Sequence, residues 1–341
     1  MGARYTIKVP ATSANIGPGF DVMGLSLSLY LTVVAEVSET KGPVRIVYEG
    51  TDSDGLSVDP QTNLITRTAL YVLGCHGVKE FPKATTVRVQ NNIPLGRGLG
   101  SSGAAVVAGV LLADAVGALG LQQQRMLDYC LMIEHHPDNV AAALVGGFVA
   151  SYLVAVERPD GIPASEPESS AISNGATAPP PENIAHFLRL GCSPKIKAIA
   201  IIPQFELATS KARAALPGSY KTADVVFNLQ RLAVLTTALG REVPDPWLIF
   251  RAMEDKVHQP YRMHLVPGLP EILGSFNPDN TPGLLGICLS GAGPTILALA
   301  MDNFDQIAAS IRAVFARQPT RVETKYQVLD IVSEGATCTK D

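Results

Sequence analysis

The run Pro94, Leu95, Gly96, Arg97, Gly98, Leu99, Gly100, Ser101, Ser102, Gly103 joins a glycine-rich loop to the opening of an apolar segment. Glycine at three alternate positions removes the Cβ atoms that would hold an anion off the backbone, and two hydroxyls follow where a helix would begin. The free N–H groups of a helix start, with the positive end of its dipole, suit a polyphosphate. A glycine turn capped by serine would carry the same letters and bind nothing. Two common nucleotide signatures are excluded here: there is no G-x-x-x-x-G-K-[ST] loop, and the glycines run G-x-G-x-G rather than G-x-G-x-x-G.

Three other stretches carry reactive groups. Residues 10–21 are dense in small, polar and turn residues, most of them ordinary loop formers, with Asn15 and Asp21 standing out as binding groups. Residues 134–142 bring Glu134, His136, Asp138 and Asn139 together. An amide has no useful basicity near neutral pH, so Asn139 can orient a hydroxyl but cannot deprotonate it. Asp138 is the rival base, or else an acid serving the mouth of the next helix. Arg213 and Arg262 are single arginines, which taken alone are surface ion-pair partners.

The elements that must position these groups follow from periodicity. Residues 5–10, 29–37, 44–48 and 85–90 read as strands of an N-terminal sheet, and residues 63–73 and 104–119 as helices, the second apolar nearly all round and therefore buried. Residues 126–134 form a third helix, and Pro137 opens a fourth that ends near Gly146. Residues 158–183 hold prolines, serines, glycines and acids without an apolar period, which predicts a mobile excursion or linker. Beyond it, residues 196–202 are a buried strand, 208–216 and 222–239 are helical, and 286–290 with 295–299 bracket a tight turn at 291–294. Residues 303–317 form an amphipathic helix, and 322–331 end the fold as a strand.

A chain of 341 residues is long for one core, so the expected division is 1–157, a proline- and serine-rich insertion or linker over 158–194, and 195–341. A 47% hydrophobic and 17% charged composition is that of a globular protein. No run of eighteen apolar residues occurs and the first ten residues lack a signal or transit pattern, so a cytoplasmic protein with no membrane partner is expected. The net charge of −4 and the scattered Lys and Arg residues argue against a nucleic-acid partner. Five dispersed cysteines without a C-x-x-C pair give neither a disulfide framework nor a zinc site.

The loop at 94–105 resembles the P-x-x-x-G-L-G-S-S-[AG]-[AS] segment of the GHMP kinases, the family of galactokinase, homoserine kinase, mevalonate kinase and phosphomevalonate kinase. Residues 11–21 are similar to the A-[ST]-x-A-N-[LI]-G-x-G-F-D wording of its homoserine kinase branch, and residues 136–141 to its H-[AP]-D-N-V-A block. Residues 209–217 resemble T-x-x-x-R-x-x-L-P, residues 255–268 resemble D-x-[IV]-H-x-P-x-R-x-x-[LI]-[IV]-P-G, and residues 289–295 resemble the third GHMP motif. The wording of 125–134 and the proline-rich insertion look most like fungal members. Gly103 departs from the commoner alanine, which should loosen the helix start slightly.

The resemblance implies an α+β, two-domain GHMP kinase fold, with an N-terminal domain like ribosomal S5 domain 2, a ferredoxin-like C-terminal domain and ATP between them. It places the triphosphate on residues 94–103, Asn63 beside the adenine, and Mg²⁺ on the hydroxyl of Ser102 and the carboxylate of Glu134, with Asp128 as second choice. Asp21 would meet a substrate ammonium with Asn15 beside it, Arg213, Arg262 and His136 would grip an α-carboxylate, and Gly291 would form part of the wall. Asn139, Thr209 and Arg213 would serve the transfer step. An anion facing two cations describes an amino acid: galactose is neutral and mevalonate lacks an ammonium, whereas homoserine supplies ammonium, carboxylate and a primary hydroxyl. The implied activity is ATP-dependent phosphorylation of L-homoserine to O-phospho-L-homoserine for threonine synthesis, by alignment and charge neutralisation without an evident base. The alternatives are a GHMP kinase for another small alcohol, such as a mevalonate-type acceptor, or a ligand-sensing relative without catalysis. A homodimer is the implied assembly.

Overall fold

The computed structural model describes residues 2–50, 56–154 and 178–341. In chain order the elements are β1 (Ala3–Ala14), β2 (Met23–Val37), β3 (Val44–Glu49), α1 (Leu64–Cys75), β4 (Thr85–Asn91), α2 (Ser101–Gly117), α3 (Gln123–Glu134), α4 (Pro137–Val145), β5 (Phe148–Leu153) and β6 (Ala185–Leu190). The second half adds β7 (Lys197–Pro203), α5 (Thr209–Ala214), α6 (Thr222–Ala238), α7 (Pro246–Ala252), α8 (Gln259–Arg262), α9 (Leu269–Ser275), β8 (Leu284–Leu289), β9 (Ile296–Ala300), α10 (Phe304–Ala316), β10 (Thr324–Asp330) and β11 (Thr337–Lys340).

The first sheet runs β11-β1-β2-β4-β3, with β5 beside β2 and β6 beside β5. β2 is long enough to change partners: residues 31–37 pair with β4 and residues 23–25 with β5. β1 continues to Ala14, across a register shift at Pro10/Ala11, although its last residues have weak strand propensity. Pairing to Gly24–Leu27 of β2 overrides that preference and carries Thr12, Ser13 and Ala14 into the interior. α2, with Val106, Val107, Val110 and Leu112 buried, packs against α1, α3, α4 and β1, which accounts for a helix apolar on every side.

The second sheet is antiparallel in the order β10-β7-β9-β8. Numbered within this half, that is 4-1-3-2 with helices after the first and third strands, the split βαβ arrangement of ferredoxin-like domains. β7, β8 and β9 are buried on both faces. Ala198, Ala200, Ile202, Leu297 and Leu299 join the core of the first sheet, while Ile199, Ile201, Ile296 and Ala298 face a second cluster with Ile307, Ile311 and Phe315 of α10.

Two boundaries differ from the sequence expectation. β6 lies within the expected linker 158–194, yet pairs with β5 in the first sheet. The fold does not end at β10: the chain returns from the second sheet and β11 pairs with β1, Tyr5 opposite Lys340. Long-range pairing decides both, and local pattern holds no trace of it. The expected excursion at 158–183 lies outside the described residues as far as 177. From there Arg125 donates to the carbonyls of Pro180 and Pro181, and Asp128 accepts the N–H groups of Asn183 and Ile184, both at 3.0 Å. Among the described residues no helix is long and apolar enough to cross a membrane.

Candidate active site

A cleft of about 570 Å³ lies between the two sheets, with the glycine loop along its middle. Gly96, Gly98 and Gly100 have φ of 61, 79 and 70°, so left-handed residues alternate along the loop and turn successive N–H groups toward one concave side. The carbonyls are used up by the scaffold: Gly96 O accepts from Leu207 N at 2.9 Å, Arg97 O from Thr295 N at 3.2 Å, Gly98 O from Ser290 Oγ at 2.6 Å and Leu99 O from Thr12 N at 3.1 Å. A Cβ on Gly98 would meet Ser290 O at 2.3 Å, so glycine is required by contact as well as by φ. The helix that follows is not serine-capped. Gly100 is its N-cap and no side chain bonds there, while Ser101 Oγ accepts from Asn91 Nδ2 at 3.1 Å. What remains is a backbone anion site at the start of α2.

Ser102 and Glu134 both line the cleft beside this loop, the hydroxyl near enough to the carboxylate to favour its ionised form. Burial raises the Glu134 pKa above the usual carboxyl value and Asp138 adds to the rise; His136 and the Ser102 hydroxyl pull against it without cancelling it. A recessed carboxylate short of positive charge, next to a hydroxyl and a phosphate loop, suits a small hard cation whose other ligands are phosphate oxygens and water. No cluster of three or more His, Cys, Asp or Glu side chains able to hold a metal by itself occurs among the described residues. Asp128, the second choice from sequence, is removed from this role. It is 1% exposed, lies outside the cleft lining, and spends its carboxylate on Arg125 and on the N–H groups of Asn183 and Ile184.

At the other end of the cleft Asn15, Ile16 and Asp21 all have positive φ, at 73, 45 and 56°. Asn15 supports that turn from within: its Nδ2 donates to Gly291 O at 3.1 Å and its Oδ1 accepts the Asp21 N–H at 3.1 Å. Arg213, in the last turn of α5, donates to both carboxylate oxygens of Asp21 at 3.0 and 2.7 Å. The two residues that sequence assigned to opposite ends of a zwitterion thus hold each other. Arg262 is 2% exposed and donates to Ala212 O, Gly291 O and His258 Nδ1 at 3.2, 3.1 and 3.3 Å. Burial lowers its pKa from the usual arginine value, and the nearby Arg213 lowers it further. Phe20 lies against both guanidinium groups, 5.5 Å from Arg213 and 5.1 Å from Arg262, and stacks on His258 at 5.3 Å.

Four residues here escaped the sequence reading as participants: Phe20, Thr12, Asp255 and His258. Asp255 accepts the N–H groups of Val257, His258 and Gln259, which fixes the turn entering α8 and hence Arg262. The His258 ring bonds Gly17 O through Nε2 at 2.8 Å, and burial lowers its pKa, so the neutral ring accepts from Arg262. Asp255 and His258 stand in the same D-x-[IV]-H-x-P-x-R run as Arg262, which is the signal that could have found them.

Between the two ends, Asn139 Oδ1 accepts from Thr12 Oγ1 at 2.7 Å and its Nδ2 lies 3.3 Å from Asp138 Oδ1. Asp138 also accepts the Asn139 N–H at 2.7 Å in the first turn of α4. His136 Nδ1 is 3.3 Å from Asp138 Oδ1, close enough for attraction though not aligned for a hydrogen bond. Burial alone would lower the His136 pKa, but Asp138 and Glu134 outweigh both burial and Arg213, and the ring is held above the usual histidine value. Thr209, Ala208 and Gly291 close the cleft beside Arg213.

One expected nucleotide contact, Asn63, is corrected. Asn63 borders the cleft, but its Oδ1 caps α1 by accepting from Ile65 N and Thr66 N, and its Nδ2 donates to Tyr48 Oη at 2.6 Å and Ser57 O at 2.7 Å, so no polar edge is left for a base. Leu99 has its side chain fully in the core, and Gly103 is buried against Asn139, with a hypothetical Cβ 3.3 Å from Asn139 Cβ, so each has only its backbone to offer a phosphate. Pro94, Gly96, Arg97, Gly98, Gly100, Ser101 and Ser102 line the cleft.

Residues 63–147 match the family described as GHMP kinases N terminal domain. A homoserine kinase of Schizosaccharomyces pombe is 52% identical over 334 residues, covering 98% of each chain, and one of Saccharomyces cerevisiae is 51% identical over 357 residues, covering 99% of each. The chain belongs to the homoserine kinases of the GHMP family. The crystal structure of homoserine kinase from Cytophaga hutchinsonii superposes with a TM-score of 0.75 at 25% identity, covering 98% of this chain and 97% of that one. Family membership makes this α+β protein an ATP-dependent kinase.

Proposed function

We propose that this chain transfers the γ-phosphoryl group of ATP to the hydroxyl of L-homoserine, giving O-phospho-L-homoserine and ADP. The observation that carries the reading is the charge pattern at the far end of the cleft: Asp21 with Arg213 upon it, Arg262 beside them, and the phosphate loop within the same cavity. An incoming amino acid presents to each partner the charge the other now supplies, its ammonium to Asp21 and its carboxylate to Arg213, Arg262 and His136. An acceptor with no ammonium leaves Asp21 without its cation, which favours homoserine over mevalonate or galactose.

Mg²⁺ would sit on Ser102 and Glu134 and supply charge neutralisation between the β- and γ-phosphates. The residues of the chain do the aligning. The loop N–H groups hold the triphosphate, Asn139 donates an N–H toward the acceptor oxygen, and Thr209 and Arg213 steady the transferred group. The bond between γ-phosphorus and the β–γ bridging oxygen breaks, with its electron pair leaving on ADP, as the acceptor oxygen bonds to phosphorus. The hydroxyl proton passes to the transferred phosphoryl group, because Asn139 cannot accept it.

A coupled assay of ADP release with homoserine, mevalonate, galactose and shikimate tests the acceptor. Turnover of homoserine well above the rest is expected, and equal or greater turnover of another alcohol defeats the assignment. Replacement Glu134→Ala separates a kinase from a sensing relative: loss of phosphorylation by about 100-fold is expected on removal of a group that stabilises transferred charge, and unchanged turnover would revive the sensor. A cytoplasmic homodimer is the assembly we favour. The exposed side chains of Tyr152 and Leu188 on β5 and β6 offer apolar surface for it, and light scattering on the purified chain tests it.

A further inference from the structure

Thr12 is 1% exposed in the small-residue end of β1, and nothing in the mechanism above gives it a part. Its N–H donates to Leu99 O in the phosphate loop at 3.1 Å, and its hydroxyl donates to Asn139 Oδ1 at 2.7 Å. One residue therefore grips the nucleotide loop with its backbone and the acceptor amide with its side chain. The loop passes so close that a Cβ on Gly100 would stand 1.9 Å from Thr12 Oγ1 and 3.0 Å from Asn139 Oδ1. The glycine leaves room for that hydrogen bond.

The direction of the bond has a chemical consequence. A hydroxyl donating to Oδ1 fixes which end of the amide faces β1, and the Nδ2 end then lies 3.3 Å from Asp138 Oδ1 with one N–H to spare for the cleft. Turned over, the amide would set its oxygen against the Asp138 carboxylate, and the Thr12 hydroxyl would have to accept from Nδ2 instead of donating to Oδ1. Asn139 therefore presents a donor to the acceptor oxygen in the orientation that the Thr12 hydroxyl and the Asp138 carboxylate fix together.

We propose that Thr12 is a positioning residue for phosphoryl transfer, its hydroxyl locking the Asn139 amide and its N–H tying that amide to the phosphate loop. This rests on the kinase reading above, and wild-type turnover of homoserine tests that reading separately. The Thr12 experiment compares Thr12→Val, which keeps the shape and the backbone bond but loses the donor, with Thr12→Ser, which keeps the donor. With substrate turnover established in the wild type, Thr12→Val is expected to lower kcat by roughly tenfold or more, the equivalent of one lost hydrogen bond of moderate strength. KM for ATP and for homoserine should stay near wild type, Thr12→Ser should restore most of kcat, and Thr12→Val should have little further effect in an Asn139→Ala background.

A Thr12→Val enzyme with wild-type kcat overturns the proposal. So does a loss confined to KM, a loss that Thr12→Ser shares equally, or a loss that adds in full to that of Asn139→Ala. Should Thr12→Val not give folded protein by thermal melting, Thr12→Cys, a weak donor close to serine in size, carries the same expectation against Thr12→Ser.

Discussion

The two oxygens of Asp21 lie 3.0 and 2.7 Å from the guanidinium of Arg213, and both side chains are about one-third exposed. A pair so placed contributes little to stability by itself, because solvent screens it and water competes for both partners. In the function proposed above its worth is in binding, where the ammonium and carboxylate of an amino acid replace it at both ends. Replacement Asp21→Asn keeps the shape and removes the charge. We expect KM for homoserine to rise by about 10- to 100-fold, the range for losing a charged hydrogen bond, with KM for ATP unchanged; steady-state kinetics varying each substrate check this. His136 gives a prediction in pH. Its pKa is raised in the folded chain, so the stabilisation from its protonated form is fully present below the unfolded value of about 6.5 and fades as pH rises through the higher folded value. The melting temperature of His136→Gln should therefore fall short of wild type by more at pH 6 than at pH 9. A gap that is constant across that range would contradict the assignment.

At the scale of elements, the phosphate loop and α1 show how little a functional segment owes to its own propensity. The loop is held by outward-facing carbonyls bonded to β1, to the segment before α5 and to the turn between β8 and β9, and its N–H groups are left for the ligand by elimination. Asn63, read from sequence as a contact for the base, is an N-cap whose other hydrogens tie Tyr48 and Ser57 to the start of α1. Replacement Asn63→Ala is expected to cost about 1 kcal/mol of stability, the usual value of a lost cap, seen as a lower midpoint in urea. Since Tyr48 and Ser57 line the cleft, KM for ATP should rise as well. Stability unchanged would mean that the cap contributes nothing. Gly103, which departs from the family's commoner alanine, has a reason at this scale: α2 and α4 approach so closely there that a Cβ would press on Asn139.

The whole molecule is less divisible than its length suggests. Alternate residues of β7 and β9 belong to the same apolar cluster as Ile7, Val9 and Leu25 of the first sheet, and β11 returns from the C-terminal half to close on β1. Neither half has a complete surface without the other. Calorimetry of the full chain should give a single cooperative transition, and residues 195–341 expressed alone should lack a sharp melting transition, because that half would expose one face of its sheet. Two well-separated transitions in the intact protein would refute this. The cleft lies at the junction, so phosphate loop and acceptor groups keep their spacing only while that shared core is intact.

Sequence alone went far where function rests on short, contiguous runs. The alternate glycines at 96, 98 and 100 marked an anion nest by residue type and spacing, whereas Ser102, Glu134, Asp21, Arg213 and Arg262 were singled out through the family resemblance, and the fold brings all of them to one cleft. β7, β8 and β9 were also legible, their apolar runs being those of strands buried on both faces. Tertiary structure alone decided what each side chain does with its remaining hydrogen-bonding capacity. Asn63 and Asp128 have the chemistry of binding groups and are consumed as a cap and an anchor, while Thr12 looks like a loop residue and reaches Asn139, 127 positions away. The physical reason is that a polar group has few bonds to give, and which ones are already taken depends on neighbours brought in by the fold from anywhere in the chain.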